Sequence, residues 1–396
     1  MDFLHIDENY VSPERLDIEV VERKGLGHPD TLADALAERI STAYSAICLR
    51  KFGAILHHNV DKLYIGGGFC KRDFGYCEFI KPVRVLVNGR MSASMGGEQV
   101  DIEAIQDEII NGYLGRILPH LNLKHEVEII NNTTQYSNRP FWFAPRDRGD
   151  LPELSKLCAS DTSVYVAYWP LTVCEELAIR LEQFFWEGEQ EKRARFSDVG
   201  QDIKCMVFRK GRHIDITLCV PLISTAILSR EEYECRIQEL ERDATVLARE
   251  IIEDQQYSVQ VGINRLENGY RVYLLGTGSC IECGEEGLVG RGNSLNGVIS
   301  VCRPHSMEAA YGKNPMYHTG KVLSHLASRL AKEIFSRFGV KCSVLAMCKN
   351  GQSLIPPAVL SISLEREINR ETLSQLIADY FERDYVSETI AEWSVV

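Results

Sequence analysis

Lys24-Gly25-Leu26-Gly27-His28-Pro29-Asp30 is the first stretch of this chain whose residue types could do chemistry. Two glycines allow close backbone approach, and a histidine and an aspartate then stand where a helix begins. A helix N-terminus attracts phosphate through its free N–H groups and its dipole. There the His28 imidazole can hydrogen-bond an oxygen that departs with negative charge. Asp30 can hold a hard cation such as Mg²⁺; read structurally, it is a helix cap and His28 a loop residue. Gln201-Asp202-Ile203-Lys204 enters a strand, and alternation predicts that Asp202 and Lys204 share a face. Such a pair either clamps a ribose and a phosphate or makes a surface ion pair. Glycine-punctuated Gly284 to Asn293 carries Glu285, Glu286 and Arg291, and Pro304 to Pro315 carries Glu308, Lys313 and Asn314. Carboxylates suit an ammonium or a metal, while Arg and Lys suit phosphate oxygens.

The elements that must position these groups are read from caps and periodicity. Helices are expected over Thr31–Cys48, Asp101–Leu114, Thr172–Trp186, Ser229–Gln255, Thr319–Phe338 and Glu371–Arg383. Strands are expected over Glu126–Ile130, Val164–Tyr168, Cys205–Phe208, Ile214–Val220, Gln256–Asn264, Tyr270–Leu275 and Ala358–Leu364. Hairpins beside long helices make the fold class mixed α+β rather than strictly wound βαβ. The 396 residues allow two or three domains, with lines drawn at 1–128, 129–262 and 263–396.

Composition narrows the function. The net charge of −12 argues against nucleic acid and anionic membrane as partners. The acid is uneven: residues 1–128 and 129–262 each carry −6, and residues 263–396 are neutral. Between Arg291 and Lys349, nine basic residues face only Glu308 and Glu333. One basic island on an acidic chain suits a small polyanion rather than a polymer. Arg329, Lys332, Arg337 and Lys341 read as a solvated helix face, whereas Arg291, Lys313 and Lys321 need another account. The sequence carries no dinucleotide fingerprint and no Walker A loop, because Gly276-Thr277-Gly278 and Gly312-Lys313 both lack the remaining glycines. Cys280-x-x-Cys283 is a single pair, weak for zinc. The N-terminus shows no secretory signal, and 13 cysteines at irregular spacing fit a reducing cytoplasm.

Six blocks, in order, resemble the S-adenosylmethionine synthetase family, in its archaeal-type branch. They are Gly27-His28-Pro29-Asp30; His57 to Lys62 with Gly66-Gly67-Gly68; Asp161-Thr162-Ser163; Asp202-Ile203-Lys204; Gly290 to Asn293 with Asn296-Gly297; and Ser306 to Pro315. The resemblance implies three similar α/β domains with pseudo-threefold symmetry, sheets packed inward and helices outside. It implies a homodimer, or a dimer of dimers, with active sites at the subunit interface. It implies ATP and L-methionine as substrates, Mg²⁺ and K⁺ as cofactors, and sulfur attack on C5′ with release of tripolyphosphate, which is then hydrolysed. His28 would sit near the departing oxygen and Asp30 would hold Mg²⁺. Lys204, Arg291 and Lys313 would bind the phosphates. Asp202 would lie near the nucleoside and Asp161, Glu285 and Glu286 near the amino acid, with Asn293, Asn314 and His318 also on substrate. Glu285 and Glu286 stand where the family usually has Asp, Ser294 where the branch usually has Arg, and Phe74-Gly75-Tyr76-Cys77 in place of a glycine run. Asn350 to Pro357 lacks the family's Pro-Ile-Asp. These departures keep open a paralogue that adenosylates another sulfur compound, and a non-catalytic regulatory homologue.

Overall fold

A computed structural model describes residues 3–187, 194–253, 256–384, 386–388 and 390. The long helices are α1 (Pro29–Phe52), α2 (Ile102–Ile117), α3 (Val173–Gln183), α4 (Arg230–Ile252), α5 (Thr319–Phe338) and α6 (Arg370–Phe381). Their starts follow from side-chain chemistry. Asp101, Thr172, Ser229 and Asn369 each accept a first-turn N–H, and Thr172 with Glu175 closes a capping box. Gly53 and Gly339, both at positive φ, end α1 and α5. The expected last residues of the fourth helix, 254 and 255, lie outside the described residues.

Three sheets each back onto two helices, so helix and strand are mixed throughout. One sheet runs in the order Val127–Thr134, Val83–Met91, Tyr64–Gly66, Gly287–Leu288, and α1 and α2 close its core around Leu36, Ile40, Val85 and Ile110. A second runs Ser258–Ile263, His213–Cys219, Lys204–Lys210, Ile18–Lys24, Ile299–Ser300, under α3 and α4, around Leu177, Val207, Ile216 and Leu240. The third runs Leu4–Asp7, Val359–Leu364, Cys342–Cys348, Ser163–Trp169, under α5 and α6, around Leu326, Val344, Ile362 and Ile377. The chain crosses among them: its first strand joins the third sheet and its next joins the second, both before α1 begins in the first. Residues 128 and 262 fall inside strands.

The expected strand Tyr270–Leu275 survives only as Gly269–Tyr270 and Leu274–Leu275. Between them the backbone donors are spent elsewhere, Arg271 N–H on the Asn264 carbonyl and Tyr273 N–H on the Tyr233 hydroxyl. Among the described residues, no helix is long and apolar enough to cross a membrane.

Candidate active site

The Lys24–Asp30 segment is built by close backbone approach. Gly25 N–H bonds the Ile203 carbonyl at 2.7 Å and Gly27 N–H the Gln201 carbonyl at 2.8 Å. A Cβ would lie 2.6 Å from Ile203 O at Gly25 and 2.7 Å from the Gln201 carbonyl carbon at Gly27, so both positions require glycine. This seam sets the entrance of α1 beside the strand that carries Lys204. His28, not a residue at 30 or 31, is the N-cap of α1, its Nδ1 accepting the Asp30 N–H at 3.2 Å. With Nδ1 accepting, the ring proton sits on Nε2. Burial first, then the nearby Lys24 charge, lowers the His28 pKa from 6.5 to about 4. His28 is therefore a neutral donor at pH 7.

The 287–293 loop wraps the same helix end. Asp30 Oδ1 accepts Leu288 N–H at 3.0 Å and its Oδ2 meets the Lys24 ammonium at 2.9 Å. One turn on, Asp34 accepts Gly290 N–H at 2.7 Å. Burial, opposed by the loop N–H groups and reinforced by Asp30, pushes Asp34 up to about 8. Asn293 exchanges two hydrogen bonds with the Lys24 backbone, at 2.9 and 2.7 Å, so its amide extends a strand edge. Arg291 and Glu286 are about half exposed and 3.4 Å apart, a weak pair that leaves both free to turn to a ligand. Lys204 pairs with Glu22 at 2.9 Å.

Asp202 and Lys204 do not share a face. The strand begins at Lys204, so Asp202 is outside the alternation; it is buried, and its Oδ2 accepts Cys280 N–H at 2.8 Å. Burial and the Cys280 thiol raise its pKa well above the carboxylate norm. Asp202 therefore anchors the loop that leads to Glu285, whose backbone packs against Gly67.

A second cluster lines a cavity of about 890 Å³ with Asp61, Lys62, Arg90, Asp161, Glu308, Lys313 and His318. The buried Lys313 ammonium contacts Glu308 and lies 3.9 Å from Asp61, whose Oδ1 has no hydrogen-bond partner. His318, the N-cap of α5, keeps its buried Nδ1 unpartnered, and burial then Lys313 lower its pKa to about 3. Asn314 is fully buried and spends its amide on the Leu56 carbonyl and His58. Lys321 lies inside α5, buried against Glu38, and that ion pair is the account it needs. Glu308 also lines a smaller cavity, about 320 Å³, with Arg291 and Asn293, so the two clusters adjoin there. Lys24, Asp34 and Asp61 are additions to the expected set. Asp34 was detectable as Asp30 plus four on one helix face; Lys24 opens the first motif and Asp61 lies in the His57 to Lys62 block, but neither has an assigned role there.

The family profile described as S-adenosylmethionine synthetase (AdoMet synthetase) matches residues 5–387. The chain belongs to that family. As a member of the S-adenosylmethionine synthetase family it is a transferase enzyme. It is 34% identical over 363 residues to an S-adenosylmethionine synthase of Methanocaldococcus jannaschii, covering 89% of this chain and 87% of the relative. It is 39% identical over 378 residues to an uncharacterized protein of Streptococcus pyogenes serotype M3, covering 94% and 92%. An unusual S-adenosylmethionine synthetase from Campylobacter jejuni shares the fold, with a TM-score of 0.58, at 16% identity over 94% of this chain and 89% of that one.

Proposed function

We propose that this chain makes S-adenosylmethionine from ATP and L-methionine. The methionine sulfur lone pair forms a bond to C5′, the C5′–O bond breaks, and tripolyphosphate leaves with the electron pair and is then hydrolysed to phosphate and pyrophosphate. A thioether has no proton to lose, so no general base is needed. Catalysis then rests on alignment and on stabilising the departing oxygen. One observation carries the reading: neutral His28, its donor fixed as Nε2–H by the Asp30 N–H, at a helix entrance flanked by Lys24, Lys204 and Arg291. Lys204, Arg291 and Lys313 bind the phosphates, and Asp161, Glu285 and Glu286 take the amino acid. Asp202 acts by holding the 278–285 loop near the nucleoside. Asn293 and Asn314 position backbone, and His318 offers its free Nδ1 to substrate.

Asp30 fits Mg²⁺. Its buried Oδ2 already holds one cation, the Lys24 ammonium at 2.9 Å, and the Asp34 carboxyl stands one turn on, so hard oxygen donors are present for a hard cation. Mg²⁺ held by Asp30 would neutralise phosphate charge, and the Lys24 ammonium would yield that oxygen. A K⁺ dependence belongs to the same reading and is measured by replacing K⁺ with a tetraalkylammonium ion.

We also propose three units, one per sheet, with pseudo-threefold symmetry and helices outside, the domain lines at 128 and 262 being blurred by the crossing strands. Two chains pair through the sheet faces opposite the helices, as a homodimer or a dimer of dimers, and this pairing completes the site. Support comes from Phe208, Ile130, Val164 and Tyr64, each 37–39% exposed on such a face. Phe208→Glu is expected to shift the sedimentation coefficient to that of a monomer and to abolish activity; a dimer that persists at micromolar concentration defeats the pairing.

The function is tested with ATP and a panel of methionine analogues, following the adenosyl product, phosphate and pyrophosphate. A second reading, adenosylation of another sulfur compound, is favoured by Glu285 and Glu286, longer than the family's aspartates and exposed. Methionine as the best substrate removes the second reading; no product from any sulfur compound removes both and leaves a non-catalytic homologue. The His28 assignment adds a pH prediction. Its charged form appears only as pH falls through about 4, so kcat/KM should show no inflection at the ordinary histidine value of 6.5. An acid limb centred near 6.5 that vanishes in His28→Asn would contradict it.

A further inference from the structure

The hairpin Phe69–Asp73 and Tyr76–Lys81 carries Cys70 and Cys77 on one side, beside the loop that ends at Glu282. The two Sγ atoms and a Glu282 carboxylate oxygen all lie within 4.8 Å of one another, and no other such group of three His, Cys, Asp or Glu occurs among the described residues. Glu282 is fully buried and its carboxylate is aimed by the Gly276 N–H at 2.8 Å, the Thr277 N–H at 2.6 Å and the Thr277 hydroxyl at 2.7 Å. The Cys70 thiol donates to the same carboxylate at 3.1 Å. Arg72 lies 3.7 Å from Glu282 and 3.8 Å from the Cys70 sulfur. Cys77 packs against Gly276, where a Cβ would lie 2.0 Å from its sulfur.

We propose that Cys70, Cys77 and Glu282 bind a thiophilic divalent ion of the Zn²⁺ class, with one position left to water. The donor set of two sulfurs and one oxygen is borderline-soft, which selects against Mg²⁺ and suits Zn²⁺. Donors on a tetrahedral zinc with Zn–S near 2.3 Å stand about 3.3–3.8 Å apart; the Cys70–Glu282 pair is already that close at 3.1 Å, so closure asks a shift of at most about 1 Å, made by Cys77. On binding, both thiols release their protons to the buffer. Two thiolates and a carboxylate are then balanced by the divalent ion together with Arg72, which accounts for a guanidinium beside a cysteine pair. Cys283 is bridged to Phe69 beside this site, yet it is exposed and lies outside the three-donor group, and Cys280 is hydrogen-bonded to the Tyr273 hydroxyl at 2.9 Å. The ion would staple the hairpin to the 276–282 loop, three residues ahead of Glu285.

The test uses full-length protein kept reduced with a phosphine, stripped by chelator, loaded with Co²⁺ or Zn²⁺ and desalted. One equivalent of retained Co²⁺ with a thiolate-to-cobalt charge-transfer band and tetrahedral d–d intensity is expected. Cys77→Ser should lose the band and weaken binding by about tenfold or more, while Cys283→Ser keeps both. In unaltered protein, Zn²⁺ should protect Cys70 and Cys77 from alkylation, as mapped by mass spectrometry; this readout needs no variant to fold. Retention far below one equivalent, a hexacoordinate spectrum without the thiolate band, protection of other cysteines, or wild-type loading by folded Cys77→Ser each overturns the site. So does a Cys70–Cys77 pair that forms a disulfide in air and takes up no metal once reduced.

Discussion

Lys313→Ala is expected to lower kcat/KM for adenosyl transfer by about 10²–10³-fold, roughly 3–4 kcal/mol of transition-state stabilisation. The Lys313 ammonium is nine-tenths buried, held between Glu308 and Asp61 before any substrate arrives. A charge fixed in advance does not have to reorganise when a polyphosphate departs. Removal also leaves Glu308 facing the cavity without its ammonium partner, while Asp61 keeps only Lys62 at 2.8 Å, so the wall becomes less attracting to an anion. Lys313→Arg should recover part of the rate, because charge is retained while the compact ammonium geometry is not. Thermal unfolding measured alongside separates the two effects: a rate within about threefold of wild type would take Lys313 out of the site.

Arg303→Met is expected to cost about 3–5 kcal/mol of stability, read as a fall in the urea midpoint. Arg303 belongs to the basic island, yet it is buried and bonds Glu175 at 3.0 and 2.7 Å and the Pro170 carbonyl at 3.0 Å, with the Tyr10 hydroxyl on its other side. Truncation strands a fully buried carboxylate that also closes the capping box of α3. Neutralising that carboxylate should restore much of the loss, so Glu175→Gln combined with Arg303→Met is expected to be more stable than Arg303→Met alone. Additive losses in the double variant would show that packing, not the stranded charge, sets the cost.

The island thus divides into two chemistries that the sequence presents alike. Arg291 and Lys313 line cavities, whereas Lys321 neutralises Glu38 in the interior; Arg303 reaches the edge of the smaller cavity but spends its guanidinium on buried Glu175. Helices were legible because their caps are local: Thr172 with Glu175, Ser229 with Glu232, and Asp101 all act within one turn. The strand Ile18–Lys24 was not, because its inward positions include Glu19 and Arg23, buried only by virtue of Arg209 and Glu182 far along the chain. A polar residue neutralised by a distant partner breaks the apolar period that reading depends on. The same limit applied at the site. His28, Asp30 and Arg291 sit in marked motifs, but the bonds from Asn293 to Lys24 and from Asp202 to Cys280 join segments no local pattern connects. The Asp202–Lys204 register failed because the strand starts two residues later than the alternation was counted.

The first strand has a consequence for synthesis. Leu4–Asp7 lies at the edge of its sheet, parallel to Val359–Leu364, so this segment pairs with one made long after it has left the ribosome. Vectorial, unit-by-unit folding is therefore closed to the third sheet. The nascent N-terminus must wait, its backbone donors open to water, until the C-terminal strand is made. A bulky fusion at the N-terminus should accordingly disturb α5 and α6 rather than α1, an effect at a distance of the whole chain.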